Sequence, residues 1–240
     1  MKRETLTYHA DGLPMRGELF FEEATAPRAG VLVFPEAYGL NKHALSRAQK
    51  LATLGYVALA CDLHGDAAVI EDLGVAVKML DAWYADPAKT RARAAGALQA
   101  LAARPEVDAA RIGAIGFCFG GTMCLELARS GADVKAVVGF HSGLATVAPR
   151  TDAKAIKARV LVCIGADDPF ITLDQRRVFE AEMRDAVVVD RQMHLYGGTV
   201  HSFTNPSAAN ANRPDAVRYN SDSDRRSWLS MQALFAETLA

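Results

Sequence analysis

"GAIGFCFGG", residues 113–121, is the stretch that decides how the rest of the chain is read. The run before and into it, "RIGAI" at 111–115, is short and apolar, as a buried strand is. The run after it, "FGGTMCLELARS", spaces its apolar residues as a helix does. Between the two lies Cys118, with Gly116 two residues before it and Gly120 two after. The small residues leave room for a sharp, closely packed turn. The stretch therefore predicts strand, tight turn and helix in immediate succession.

The same alternation repeats on either side. Short apolar runs lie at 30–34 ("GVLVF"), 56–60 ("YVALA"), 135–140 ("KAVVGF") and 159–164 ("RVLVCI"). Runs of this length, soon followed by Gly, Pro or Asp, suit parallel strands covered on both faces. Helical spacing relates Leu45, Ala48, Leu51 and Ala52, then Leu73, Ala76, Val77, Leu80 and Tyr84, then Ala94, Leu98, Leu101 and Ala102. Near the end Trp228, Met231, Phe235 and Leu239 repeat the pattern. At the start, "ETLTYH" and "LPMRGELFF" flank "ADG" and read as an antiparallel hairpin. "VVVDRQMHLY" at 187–196 is a weaker strand candidate, and the polar stretch 205–223 reads as a surface loop. The expectation is one α/β domain over 1–240: a mostly parallel central sheet, an antiparallel N-terminal hairpin, helices on both faces and no large cap.

Composition narrows the function classes. Hydrophobic residues make up 50 % of the 240 and charged residues 23 %, with a formal net charge of −1. That balance, with no Lys/Arg run, argues against nucleic acid as a partner. No apolar run reaches membrane-spanning length, and the basic start lacks the apolar core of a signal peptide. Cys61, Cys118, Cys124 and Cys163 form no CxxC pair, and free thiols suit a reducing cytoplasm. His64 lies between Asp62 and Asp66, but without an H-x-H or H-E-x-x-H companion it predicts no metal. No cofactor is expected.

Gly116-x-Cys118-x-Gly120 has the form of a nucleophile elbow, G-x-S-x-G, with sulfur in place of oxygen. Cysteine is among the most buried residue types, so a core cysteine is the bland alternative. The strand–turn–helix context outweighs it. A helix N-terminus behind the thiol favours thiolate. A thiol nucleophile needs a base, and the base an orienter. In this motif class the chain order is nucleophile, acid, histidine. "GADDPF" supplies Asp168, with Asp167 as the alternative, and "GGTVHSF" supplies His201. Of the other histidines, His9 and His194 sit in strand patterns, and His141 ends a strand in "GFHSG". Ser142, in that same stretch, is one residue out of register for an elbow.

These residues, with "VLVFPEAYGLNKH", "LATLGYVALACDLHG", "IGFCFGG", "GADDPF" and "VHSFTNP", resemble the dienelactone hydrolase family of the α/β-hydrolase fold from about residue 12 onward. The resemblance implies a triad of Cys118, Asp168 and His201. It implies that Glu36 gates the thiol, and that the backbone N–H groups of Ala37 and Phe119 form an oxyanion hole. Tyr38, Trp83, Tyr84, His141 and Asn205 are expected around the pocket; Trp83 and Tyr84 fit a pocket wall or the core equally well. The chain departs from the family's carboxylate-binding arginines. None lies between Arg47 and Arg91, and Asn205 stands where the second would fall. That argues against dienelactone itself as substrate. The reading is a hydrolase of a small activated ester or lactone, monomeric or homodimeric. A broad carboxylesterase and a thiol redox-sensing or binding module are the alternatives.

Overall fold

A computed structural model describes residues 1–240, except for the side chain of Leu73. Eight strands form one sheet, in the order β1-β2-β4-β3-β5-β6-β7-β8. They are β1 (Lys2–Ala10), β2 (Leu13–Phe21), β3 (Arg28–Phe34), β4 (Val57–Ala60), β5 (Val107–Phe117), β6 (Ala136–Phe140), β7 (Arg159–Gly165) and β8 (Arg191–Tyr196). The hairpin β1–β2 is antiparallel and joins the sheet through β2 against β4; every other pairing is parallel. Asp11 and Gly12 turn the hairpin with φ of 51° and 72°. Positive φ at both central residues matches the right-handed twist of the strands, which explains "ADG" at that point.

The helices are α1 (Lys42–Thr53), α2 (Leu73–Ala85), α3 (Pro87–Ala102), α4 (Phe119–Arg129), α5 (Leu173–Asp185) and α6 (Ser221–Thr238). Two buried clusters lie on the two faces of the sheet. One takes Leu101, Met123, Leu127 and Met183 with Leu32, Ala114 and Val162; the other takes Leu51, Trp228 and Phe235 with Val31, Ile115 and Leu161. Neighbours in one strand, such as Val31 and Leu32, thus point to opposite clusters, as the two-residue period of a strand requires.

Several expectations shift. β5 starts at Val107 rather than 111, because Asp108 pairs with Ala29 and Ile112 with Gly30, and the residues between bulge out of the ladder. The valine run 187–189 is not strand. Val187 takes φ 58° at the end of α5, and Val189 is 92 % exposed. On α2, Val77 is exposed while Ala76 and Trp83 are buried, so the inward face is rotated from the expected one. The side chain of Leu73 lies outside the described residues.

One buried ion network ties the helices of one layer together. The Arg129 side chain is 1 % exposed. It reaches Glu126 at 2.9 Å, Glu182 of α5 at 2.7 Å, and donates to the Leu144 carbonyl at 3.1 Å. Arg91 of α3 pairs with Glu126 at 2.9 Å and with Asp152 at 2.7 Å. Asp152 sits in a short 3-10 turn, Arg150–Ala155.

Candidate active site

The loops that follow β3, β5, β6, β7 and β8 all emerge at the carboxyl ends of parallel strands, where open α/β sheets bind ligands. They carry, in turn, Glu36 to Tyr38, Cys118, His141, Asp168 and His201.

Cys118 caps the N-terminus of α4 with φ 53° and ψ −118°. A non-glycine residue there is strained and is held by what surrounds it. The glycines explain how. A Cβ on Gly116 would run into the Gly120 carbonyl, and one on Gly120 into the carbonyls of Phe34 and Pro35. The Cys118 N–H is anchored twice, donating to Phe140 O at 3.0 Å and to His141 Nδ1 at 3.1 Å. Cys118 is half-buried, whereas Cys61, Cys124 and Cys163 are fully buried. Burial pushes those other thiols well up from their ordinary range.

His201 and Asp168 meet at 2.8 Å between Nδ1 and Oδ2. Asp168 is 3 % exposed, and its other oxygen accepts the Phe170 N–H at 2.9 Å. Asp167 is exposed, whereas Asp168 is buried. With Nδ1–H given to Asp168, the other ring nitrogen of His201 carries the lone pair or the mobile proton. Burial opposes charge on this ring. The charge and hydrogen bond of the Cys118 sulfur, together with Asp168, overcome it and hold the imidazole up at about 10. The His201 backbone is gripped by a segment expected to be loose: its N–H donates to Ala216 O at 3.0 Å and its carbonyl accepts from Arg218 at 3.1 Å. The stretch 205–223 is therefore part of the site's frame, not only a surface loop.

Glu36 is 4 % exposed. Burial raises its carboxyl, partly countered by His201 and by hydrogen bonds from Asn205 and Asn41. Asn205 Nδ2 donates to it at 2.8 Å, and His43 Nδ1 lies 3.8 Å away. Asn205 thus joins the Glu36 carboxylate. Ala37 is fixed through its carbonyl, which His64 Nε2 approaches at 2.8 Å. Among the described residues, the backbone N–H groups of Ala37 and Phe119 donate to no protein acceptor. Tyr38 and Tyr84 both sense the Cys118 sulfur, and burial pushes Tyr84 up to about 12. Trp83 belongs to the core: it is 5 % exposed and packs on Phe119 at 5.6 Å. His141 is fully buried beneath the turn, and Ser142 is buried against Gly121 and Gly139.

Sequence reasoning gave no site role to His43, Arg47 or Thr204, and weighed His64 only as a metal ligand. His64 reaches the Ala37 carbonyl through Nε2 at 2.8 Å. Asp62 spends its carboxylate on the N–H groups of Arg16, His64, Gly65 and Ala67. Both His43 and His64 lie inside stretches that carried the family resemblance, which was the available signal.

Burial lowers His43 to about 3 and His141 well below the ordinary histidine range. Folded-state values below the unfolded ~6.5 mean that the unfolded chain takes up more protons on acidification. The stability these neutral rings contribute is present above ~6.5 and is lost as the pH falls toward their folded values. The urea midpoint is expected to drop between pH 6.5 and pH 5; an unchanged midpoint would contradict the neutral assignment.

A cleft of about 570 Å³ lies at the opposite end of the sheet, among residues 22–28, Val57 and Glu106. Lys2 and Arg28 there are both engaged by Glu23, so that cleft offers no comparable chemistry.

The mostly parallel sheet, the helices around it and the strand–Cys118–helix turn define an α/β-hydrolase fold. The chain belongs to the dienelactone hydrolase family, whose model matches residues 15–239. A Bradyrhizobium protein named "Probable 2-oxo-3-(5-oxofuran-2-ylidene)propanoate lactonase" is 31 % identical over 187 residues, 72 % of each chain. Two solved structures are more similar. One, called m3DLH, is 45 % identical with a TM-score of 0.95, covering 100 % of this chain and 99 % of its own. The other, the dienelactone hydrolase-like promiscuous phosphotriesterase P91 from metagenomic libraries, is 44 % identical with a TM-score of 0.94 and the same coverage. Among the described residues no helix is long and apolar enough to cross a membrane.

Proposed function

We propose that this hydrolase cleaves small activated esters or lactones through Cys118, with His201 and Asp168 completing the triad. One observation carries the reading. The sulfur of the strained Cys118 and the Asp168 carboxylate, 2.8 Å from Nδ1, both act on the buried imidazole of His201.

The thiolate attacks the carbonyl carbon, and the developing oxyanion meets the N–H groups of Ala37 and Phe119. As the tetrahedral adduct collapses, the C–O bond breaks and imidazolium His201 gives its proton to the leaving alkoxide. The thioester carries no charge, so the strongest influence holding the proton on His201 is gone. The neutral ring then takes a proton from water, hydroxide adds to the thioester, and collapse expels the thiolate, which pairs again with His201. One imidazole thus serves as acid and then base, because its partner's charge changes between steps.

Glu36, beside Asn205, is the group we assign to gating the thiol as substrate enters. The lactonase name of the Bradyrhizobium relative supports a lactone substrate. The phosphotriesterase P91 makes an activated phosphotriester a reasonable second substrate class. A redox-sensing role is less supported, because Cys124 is fully buried and cannot resolve an oxidised Cys118 without unfolding α4.

The test is turnover of p-nitrophenyl acetate, an enol-lactone and an activated phosphotriester, with intact-mass detection of an acyl adduct. Failure on all three, with Cys118 still oxidised by peroxide, would overturn hydrolysis. Asp168→Asn should lower kcat by roughly 10²- to 10⁴-fold at near-native stability, because the ring loses the carboxylate that fixes its tautomer. A loss below threefold would remove Asp168 from the mechanism.

A further inference from the structure

Resting on that reading of the triad, we propose that His141 is a positioning residue: a neutral strap that ties the Cys118 turn to the loop carrying His201. The tautomer follows from the contacts. A backbone N–H can only donate, so His141 Nδ1, 3.1 Å from Cys118 N, holds a lone pair. The ring proton then sits on Nε2 and is donated to Thr204 Oγ1 at 2.8 Å. Thr204 follows His201 in the same loop, so one ring bridges nucleophile and base segments.

The ring is locked on every side. His141 is fully buried, with φ 41°. Its plane meets His201 edge-on at 5.0 Å and Phe203 at 5.3 Å between centroids. Thr204 is itself held from α1. Arg47 donates to its carbonyl and also pairs with Asp224 at 2.9 Å. His43 Nε2 accepts from Arg47 Nε at 3.2 Å and lies 3.4 Å from the Thr204 hydroxyl, which can donate to it. The chain of contacts runs from α1 through Thr204 and His141 to the backbone of the nucleophile.

Neutrality is part of the function. The ionisable groups acting on His141 are His201, His43 and Arg47, all able to bear positive charge. With the Cys118 N–H aimed at Nδ1 as well, a second proton has no acceptor. A charged ring there would also repel the proton that His201 must hold. A residue retained only for packing would not need both ring nitrogens matched.

Thr204→Val removes the acceptor at nearly constant volume, and Thr204→Ser restores it. His141→Asn keeps a short acceptor for the Cys118 N–H, tolerates positive φ and cannot reach Thr204. Cutting the strap should lower kcat with p-nitrophenyl acetate roughly 10- to 100-fold, the scale of a misplaced catalytic group, with KM within about twofold. Alkylation of Cys118 by iodoacetamide at fixed pH should slow in Thr204→Val and His141→Asn. Thr204→Ser should recover most of both losses. Variants that lose Tm yet keep the wild-type kcat and alkylation profile would overturn the proposal. If Thr204→Val fails to fold, the His141→Asn comparison decides. Absence of any acyl adduct in the wild type would instead remove the triad reading itself, so the two failures are distinguishable.

Discussion

Replacing Cys118 with alanine is expected to abolish the acyl adduct and cut kcat for activated esters by roughly 10⁴- to 10⁶-fold, the range found when a nucleophile of a catalytic unit is removed. The residue sits at the N-cap of α4 with no side-chain hydrogen bond to the helix, so its loss removes no cap. It is half-buried, and a Cβ is already accommodated at φ 53°. Alanine therefore keeps the turn, and the fold should persist while the chemistry stops. Steady-state assay, intact mass and thermal unfolding on the same sample separate the two. An inactive protein with unchanged Tm supports the nucleophile. Persistent turnover with unchanged kcat would force the chemistry onto another group, and Ser142, sealed against Gly121, offers none.

Arg129→Ala is expected to give the largest loss of stability, about 3–5 kcal/mol, because it strands Glu126 and Glu182 without their shared cation. For a chain of this length that corresponds to a Tm lower by roughly 6–20 °C. Arg91 still reaches Glu126, so the uncompensated charge falls chiefly on Glu182, which is 5 % exposed. The double variant Arg129→Met with Glu182→Leu should regain much of the loss, since apolar groups of similar volume often replace a buried pair without penalty. Calorimetry on the single and double variants checks both halves. Equal destabilisation by both would mean that packing, not charge, is what Arg129 supplies.

How much of this could be read from the residues alone depended on how each element is stabilised. Strands buried on both faces have to be apolar, so β3, β4, β6 and β7 stood out. β8 was faint because it is an edge strand with Gln192 and Leu195 exposed. The helix α5 passed unseen, since only Phe179, Glu182 and Met183 are buried along it. Its capping box, Thr172 with Gln175, was the signal available. Cys118, Asp168 and His201 could be singled out as candidates because each lies just past a strand, in the chain order nucleophile, acid, histidine. The frame around them was not. His141, Thr204 and His43 come from three separate loops and helices, and a pattern read along one segment at a time does not reveal side chains that meet only in space.

The grip of Ala216 and Arg218 on the His201 backbone carries a consequence for how the protein comes into being. Synthesis runs from the N-terminus, and the turn bearing Cys118 is complete about halfway through the chain. The imidazole that would arm it has no fixed place until the residues just before α6 have emerged. A nascent or prematurely terminated chain thus carries the Cys118 turn without the backbone contacts that fix His201. On the proposed triad, truncation before Ala216 is expected to abolish activity while sparing Cys118, Asp168 and His201.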